Sequence, residues 1–219
     1  MMPARGIART ISRRYLAPWH RHYAWCKLRT DPVYSAVAGA LAHAPSRPLL
    51  DVGCGLGIAA AYLRLTGYHG ALTGIDYDRP KILAARRDLG GWLERAEFRH
   101  GDMRELPDFR GHVLLLDILQ FVPRSGRRSL LEAAAAMASE SGSRVIIRST
   151  VRERGARFAL SRLGDLLARM TCWMKDAPVS YPARGEISAV FAEAEFTRRV
   201  ADCSGGMPFS NMLFELVRK

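Results

Sequence analysis

Residues 49–57, with the sequence LLDVGCGLG, constrain the fold of this chain more than any other segment. An apolar run ends in an acid, three glycines follow at every second position, and residues 58–63 (IAAAYL) have the composition of a helix. A strand that leads through a glycine turn into a helix brings backbone N–H groups within reach of a ligand. We therefore predict a nucleotide-type binding site at this turn.

The spacing of the glycines narrows the ligand. A dinucleotide site has the pattern G-x-G-x-x-G, whereas Gly53, Gly55 and Gly57 form G-x-G-x-G. Ile58 stands where the third dinucleotide glycine belongs, and no Gly-Lys-Ser/Thr follows to make a P-loop. The alternative to a ligand site is a glycine turn that only lets a helix pack closely on a strand.

Acids recur at or just after the ends of the segments that are predicted to be strands in the first part of the chain. The four positions are Asp51, Asp76, Asp102 and Asp117. Helical patterns lie between most of these segments: Asp78 caps a helix that runs to residues 90–91, and Ser125 caps the next helix. Further helices are predicted after an N-cap at Asp31 and over residues 186–194. This alternation predicts a mainly parallel α/β sheet, whose ligand crevice lies at the carboxyl ends of the strands.

The D-x-G-x-G-x-G arrangement and the acids that follow it resemble the class I S-adenosylmethionine (SAM) methyltransferases. The match covers roughly residues 48–150. It implies a Rossmann-like α/β fold: a mainly parallel seven-stranded sheet with a C-terminal antiparallel hairpin, near residues 196–201 and 212–217, and helical caps. It also implies that the chain is an enzyme and that SAM is its cofactor.

The same resemblance implies a role for each acid. Asp51 matches the acid that orients the glycine loop and the methionine ammonium, and Asp76 matches the acid that binds both ribose hydroxyls. Asp102 matches the position that holds the adenine amino group, and Asp117 faces methionine and acceptor. The cofactor-binding set implied in this way is Asp51, Gly53, Cys54, Gly55, Gly57, Asp76, Tyr77, Asp102, Met103 and Asp117.

Two further residues are the candidates for the catalytic or acceptor side. Gln120 follows the acid at position 117 and is expected to contact the acceptor. Arg148 lies at the end of the strand predicted from residue 144, and its planar guanidinium suits an acceptor carboxylate, although such an arginine is more often a surface charge. His100, His112 and Tyr181 are candidate general bases, with structural roles as the alternative.

The acceptor is inferred from motifs that this sequence lacks. Residues 117–120 (DILQ) do not form the Asp/Asn-Pro-Pro-aromatic motif that amino methyltransferases of this superfamily use. A Pro-Cys nucleophile is missing, and so is a clear acidic cluster for a metal-dependent catechol enzyme, so we predict no metal. The remaining expectation is O- or C-methylation of a small apolar or aryl/acyl acceptor, as in quinone and natural-product enzymes and, more distantly, in polyketide or aryl-polyene pigment clusters.

Charge suggests what else the chain binds. The formal net charge is +12, and no acid precedes Asp31. The basic residues before it are Arg5, Arg9, Arg13, Arg14, Arg21, Lys27 and Arg29. Aromatic residues that could form a lid lie among them: Tyr15, Trp19, Tyr23 and Trp25. Such a segment suits an anionic membrane surface, an acidic acyl carrier protein, RNA or an organellar presequence; the alternative is a mobile tail followed by a packing helix.

The organisation that follows is a basic N-terminal segment with cap helices at 1–46 and a methyltransferase domain at 47–219, with an acceptor-cap insertion at 152–182. The cysteines (Cys26, Cys54, Cys172 and Cys203) are scattered, which favours reduced thiols in a cytoplasmic protein that could be peripheral to the inner membrane. The arginine- and alanine-rich composition is typical of a GC-rich bacterial genome, and we expect a role in secondary metabolism. The competing functions are an RNA methyltransferase and a non-catalytic basic module that binds SAM and RNA or a membrane surface.

Overall fold

Seven strands form one sheet within residues 4–152, 180–205 and 210–219, the parts of the chain that the computed structural model describes. The strands are β1 (Leu49–Val52), β2 (Leu72–Asp76), β3 (Ala96–His100), β4 (His112–Leu116), β5 (Arg144–Thr150), β6 (Phe196–Asp202) and β7 (Asn211–Arg218). The helices are α1 (Ala4–Ser12), α2 (Pro18–Thr30), α3 (Val33–Leu41), α4 (Ile58–Leu65), α5 (Arg79–Leu89), α6 (Arg124–Met137) and α7 (Arg184–Ser188), with a 3-10 turn at Leu119–Phe121.

The order of the strands is β3-β2-β1-β4-β5-β7-β6. The strands from β3 to β5 pair in parallel, whereas β7 runs antiparallel to both β5 and β6. The predicted fold, a Rossmann-like α/β sheet with a C-terminal antiparallel hairpin, is therefore confirmed. The four predicted acids lie near the carboxyl ends of β1 to β4, which meet at one edge of the sheet.

The sheet divides the core into two apolar layers. Leu49 packs into the layer that also contains residues of α1 to α5, and Leu50 packs into the layer with residues of α6. Neighbouring residues of a strand point to opposite faces, so both are buried although they are adjacent. A strand buried on both faces reads as an unbroken apolar run, which is how the sequence before Asp51 reads.

The cap predicted at Asp78 is confirmed for α5, whereas the N-cap of α3 is Pro32, one residue after the predicted Asp31. The N–H of Val33, the first residue of α3, donates to Asp31 Oδ1 at 3.1 Å. In α5 the N–H of Lys81 donates to Asp78 Oδ1 at 3.4 Å. These side chains accept from N–H groups that have no partner inside the helix.

Two other helix predictions need correction. Helix α6 begins one residue before Ser125, because the carbonyl of Pro123 accepts the first N–H groups of the helix. The predicted helix over 186–194 ends at Ser188 as α7. After Ser188 the chain forms a turn, in which the N–H of Phe191 donates to the carbonyl of Ser188 at 3.3 Å. Phe191 packs against Phe196, with ring centroids 5.2 Å apart.

The predicted acceptor cap at 152–182 lies almost entirely outside the described residues, as does Cys172. Only Arg152 and residues 180–182 of that segment are described. Among the helices of the described segments, none has both the length and the apolar character needed to cross a bilayer.

Candidate active site

The glycine loop between β1 and α4 takes a backbone conformation that only glycine adopts freely. Gly55 and Gly57 have φ values of +55° and +75°. A Cβ on Gly57 would lie 2.5 Å from Cε1 of Phe98, so this glycine lets the loop sit against β3. A Cβ on Gly55 would meet nothing closer than Asp76 and Lys81 at 4.0 Å, so the loop has an open side that a ligand can approach.

The amide groups of the loop are bonded to the protein. The N–H groups of Gly53 and Cys54 donate to the carbonyl of Ile75, at 2.7 and 3.1 Å. The N–H of Gly55 donates to Asp76 Oδ2 at 2.8 Å, and that of Gly57 to the carbonyl of Cys54 at 2.9 Å. The expectation that these amides reach out to a ligand is therefore wrong for these four residues. The loop offers close backbone approach instead.

Asp51 and Asp76 place two buried carboxyls beside the loop. Burial, and after it the charge of Asp76, raise the pKa of Asp51 to about 7. Asp76 accepts from the N–H of Asp78 at Oδ1 and from the loop at Oδ2, both at 2.8 Å. The described contact between a carboxylate and the glycine loop thus comes from Asp76, whereas the sequence assigned that role to Asp51. Two buried carboxyls side by side favour a cationic ligand.

The third acid lies nearer to solvent. Asp102 forms an ion pair with Arg104, whose Nη2 lies 2.5 Å from Oδ2, and these hydrogen bonds lower the pKa of Asp102. Because Arg104 is 82% exposed, this pair contributes little to stability and yields readily to a ligand. Met103 is half-buried, and Tyr77 is 45% exposed after β2. The adenine role of Asp102 and Met103 stays a prediction.

Four charged side chains form a cluster where β4 and β5 end. We call Lys27, Asp31, Asp117 and Arg148 the charged cluster. Nη1 of Arg148 donates to Oδ2 of Asp117 at 2.7 Å and to Oδ2 of Asp31 at 2.8 Å. Nζ of Lys27 lies 2.8 Å from Oδ2 of Asp31 and 4.0 Å from Oδ2 of Asp117. The cluster joins α2 to the strand ends that face the site.

The two acids of the cluster differ in their surroundings. Burial alone would raise the pKa of Asp31, but Lys27 and Arg148 outweigh it and the pKa is lowered. For Asp117 burial, together with the negative charge of Asp31, outweighs the same two cations, and the pKa is raised. Asp117 also has a φ of +57°, a conformation that is uncommon outside glycine and is often found at functional sites. Its side chain is 32% exposed, so this acid borders the open part of the site.

Arg148 is 6% exposed at its side chain, and the structure already provides it with two carboxylates. The alternative interpretation of Arg148, an exposed surface charge, is therefore wrong. Its Nε is buried and has no hydrogen-bond partner within the described segments. The predicted anchoring of an acceptor carboxylate stays a prediction, and it would compete with Asp31 and Asp117.

Gln120 lies buried in the 3-10 turn, and its Oε1 has no hydrogen-bond partner in the part of the chain that is described. The turn is held by Arg127, which the sequence analysis did not single out. Arg127 is 1% exposed; its Nε donates to the carbonyl of Leu119 at 3.2 Å, and its Nη1 donates to Oε1 of Glu186 at 2.8 Å. Nη2 donates to Ser180 at Oγ and at the backbone carbonyl.

The proposed general bases are spread over the fold. His112 lies at the amino end of β4, opposite the glycine loop, and it is wrong as a general base. Its Nδ1 accepts from the N–H of Arg144 at 3.0 Å, its Nε2 meets the carbonyl of Pro45 at 2.9 Å, and burial lowers its pKa. His100 ends β3, where its Nε2 lies 3.0 Å from the carbonyl of Tyr77. Tyr181 is half-buried.

The N-terminal aromatic residues separate into two groups. Tyr15 is fully buried, and its hydroxyl donates to the carbonyl of Leu56 in the glycine loop at 2.9 Å. Tyr23 is half-buried, whereas Trp19 and Trp25 are 55% and 40% exposed. The segment before Asp31 is therefore not a mobile tail over its described part, and one of its side chains supports the loop.

Comparison with known proteins gives a family match for part of the chain. Residues 49–142 match the family model described as a methyltransferase domain. No curated protein sequence matches the chain. The domain match includes the glycine loop, Asp76, Asp102 and Asp117.

Solved structures resemble the whole chain. Magnesium protoporphyrin IX methyltransferase (ChlM) from Synechocystis PCC 6803 is 17% identical, with 98% of this chain and 94% of that chain covered and a TM-score of 0.66. An O-methyltransferase family protein from Burkholderia thailandensis is 18% identical, covering 94% and 62%, with a TM-score of 0.66. Mitomycin 7-O-methyltransferase MmcR is 20% identical, covering 94% and 59%, with a TM-score of 0.62. At such low identities, the TM-scores show a shared fold alone.

Proposed function

We propose that this chain is a class I SAM-dependent methyltransferase that methylates a small apolar acceptor at an oxygen atom. The methyltransferase-domain match over residues 49–142 and the shared fold support the family, the enzyme class and the cofactor that the sequence predicted. The observation that carries the proposal is the charged cluster beside the glycine loop, because it joins a partly exposed acid to two cations at the site's edge.

The residues around the glycine loop fit SAM. Gly55 leaves an open side for a ligand, and Asp51 and Asp76 offer two buried carboxyls to a cationic amino acid group. Bound SAM supplies a methyl group made electrophilic by its sulfonium. We assign Asp76 to the ribose hydroxyls, since each of its oxygens accepts a single described hydrogen bond and retains further accepting capacity.

The acceptor side combines aromatic rings with polar groups. Tyr23 and Tyr34 lie close enough to Lys27 to influence its charge, and Tyr34 packs against Tyr62 with ring centroids 5.9 Å apart. This surface suits an aryl or acyl group. Oε1 of Gln120, buried and unpaired in the described segments, suits a hydroxyl that donates to it.

The chain's own residues then have three tasks. The aromatic and apolar surroundings exclude water and align the acceptor for in-line displacement. The positive potential of Lys27 and Arg148 favours the oxyanion form of a phenol or carboxylate acceptor. Asp117, which borders the open part of the site and whose pKa is raised, is the group that we assign to receive the hydroxyl proton.

The names of the structural neighbours support a small acceptor of varied chemistry. They include a mitomycin 7-O-methyltransferase and a plantazolicin methyltransferase. An acceptor presented on an acidic carrier protein, C-methylation and a role in bacterial secondary metabolism remain proposals. The basic segment before Asp31 is what supports the carrier protein.

The first prediction concerns SAM and the methyl acceptor, and it is tested with SAM labelled in its methyl group. We expect SAM to bind and the label to pass to small aryl or acyl acceptors. Because Asp76 holds the loop and accepts from the ligand, Asp76→Ala should weaken SAM binding by tenfold or more, or about 1.4 kcal/mol, in calorimetry. Asp108→Ala, at an exposed position before β4, is the matched control and should bind SAM like the wild type.

Other outcomes would decide against the proposal. Label that appears only in RNA would make the chain an RNA methyltransferase. Absence of SAM binding, with Asp76→Ala making no difference, would favour a non-catalytic basic module. Label on carbon in a product that keeps its hydroxyl free would replace O-methylation by C-methylation.

A further inference from the structure

One face of α2 exposes aromatic rings to solvent. Trp19, His22, Trp25 and Arg29 follow each other at intervals of three or four residues, and all four are exposed. Trp19 stacks on His22 with ring centroids 6.5 Å apart, and the guanidinium of Arg29 lies 4.6 Å from the ring of Trp25. The opposite face of the helix buries Ala24 and Leu28.

The turn before α2 adds one more exposed apolar side chain. Leu16 is 65% exposed, the highest value among the large apolar residues that the structure describes as exposed. We call Leu16, Trp19, His22, Trp25 and Arg29 the α2 outer surface. Large apolar side chains exposed together on a helix and rimmed by charge indicate an interaction site.

The charged residues that precede Asp31, on α1, α2 and the turn between them, all have one sign. No acid precedes Asp31, and the arginines of this part of the chain are exposed: Arg5, Arg9, Arg13, Arg14, Arg21 and Arg29. Lys27 and Asp31 point the other way, into the charged cluster. A partner that binds here must therefore carry negative charge and accept apolar side chains.

We propose that the α2 outer surface docks on an anionic lipid bilayer. Tryptophan is enriched at the boundary between headgroups and acyl chains, leucine inserts below it, and arginine is attracted to anionic headgroups. A bilayer satisfies all three residue types at once.

The α2 outer surface also lies on the helices that cover the site. Tyr15, one residue before Leu16, donates to the glycine loop, and Asp31 at the end of α2 binds Arg148. Docking would therefore bring the lipid phase next to the cover of the site. This role for docking rests on the proposed function: an apolar acceptor would be drawn from the bilayer.

The second prediction is tested by flotation with vesicles of phosphatidylcholine alone or mixed with phosphatidylglycerol, without SAM or acceptor. We expect flotation only with the anionic vesicles and a blue shift of tryptophan fluorescence on binding. Trp19→Ser/Trp25→Ser should weaken vesicle binding by tenfold or more, because both rings leave the interface. Arg29→Glu should weaken it about tenfold through charge.

Arg110→Glu is the matched control, since it makes the same charge change in an exposed loop before the amino end of β4, away from α2. It should leave flotation nearly unchanged, and all variants should keep wild-type SAM binding and far-UV circular dichroism.

Absence of flotation would overturn the proposal, as would equal effects of Arg29→Glu and Arg110→Glu. Binding of an acidic acyl carrier protein in place of vesicles, abolished by the tryptophan variant, would assign the surface to a protein partner. Because flotation needs no acceptor, a failed methyl transfer would leave this result intact.

Discussion

At the scale of single residues, burial gives Asp51 a property that its position in the sequence does not reveal. The carboxyl is 3% exposed, and its pKa is raised to about 7, first by burial and then by the charge of Asp76. An acid whose pKa is higher in the folded than in the unfolded chain binds more protons when folded. Its contribution to the free energy of unfolding therefore falls as the pH rises from about 4 to about 7 and stays low above that range.

The third prediction follows from this sign. Asp51→Asn should remove this fall in the free energy of unfolding, because the amide does not titrate. Without SAM, the free energy of unfolding of the variant relative to that of the wild type should therefore be roughly 2–3 kcal/mol higher at pH 8 than at pH 5. Urea unfolding at the two pH values measures the difference. The exposed Asp108→Asn should follow the wild type. A fall of unchanged size in Asp51→Asn would show that another group is responsible. A cationic ligand stabilises the charged carboxylate of Asp51, and an amide lacks that charge. The same variant should therefore bind SAM more weakly than the wild type.

At the scale of elements, Arg127 connects the 3-10 turn of Gln120 to α6 and α7. Its guanidinium donates to the carbonyls of Leu119 and Val122, to Ser180 and to Glu186, while its side chain is 1% exposed. Removal of one partner from a buried ionic and hydrogen-bonded group leaves the others unsatisfied. The position of the turn therefore depends on an arginine that lies on another element.

The fourth prediction compares Arg127 with its neighbour in the sequence. Arg127→Met should lower the free energy of unfolding by about 3–5 kcal/mol, because carbonyls and a carboxylate lose their donor in a buried place. Arg128→Met removes an exposed pair with Glu132 and should cost less than about 0.5 kcal/mol. Urea unfolding of both variants measures the difference. Similar losses for the two would contradict the role assigned to Arg127.

At the scale of the whole molecule, the N-terminal helices are part of the site. They reach it through the hydroxyl of Tyr15, bonded to the glycine loop, and through Lys27 and Asp31 of the charged cluster. Both contacts join positions far apart in the chain. The boundary predicted at residue 46 therefore separates segments that act together at the site, although the division into domains stays a prediction.

The fifth prediction isolates the contact of Tyr15. Tyr15→Phe should weaken SAM binding about fivefold in calorimetry, because a hydrogen bond of about 1 kcal/mol that positions the loop is lost. Tyr68→Phe is the matched control: this tyrosine also donates to a backbone carbonyl, that of Arg47, but beside His112 at the amino edge of the sheet. Its affinity for SAM should stay at the wild-type value. Equal weakening in both variants would indicate general destabilisation.

The sequence by itself determined the sheet, the glycine loop and the acids at the strand ends. These features depend on local patterns: apolar runs that form buried strands, glycines at positions of positive φ, and an acid where each strand ends. Helix α7 and the start of α6 were predicted less well, because packing between Phe191 and Phe196 and the carbonyl of Pro123 decide them.

Only the tertiary structure decided which side chains meet. It bonded the loop amides to the protein, placed His112 at the far edge of the sheet, and brought Lys27 and Asp31 to Asp117 and Arg148. The i, i+4 spacing of Lys27 and Asp31 was visible in the sequence, but their partners lie far along the chain. Contacts between charges depend on the distances that the folded backbone sets, and a pKa depends on burial. Neither quantity is a property of a residue's neighbours in the sequence, so both become known only with the fold.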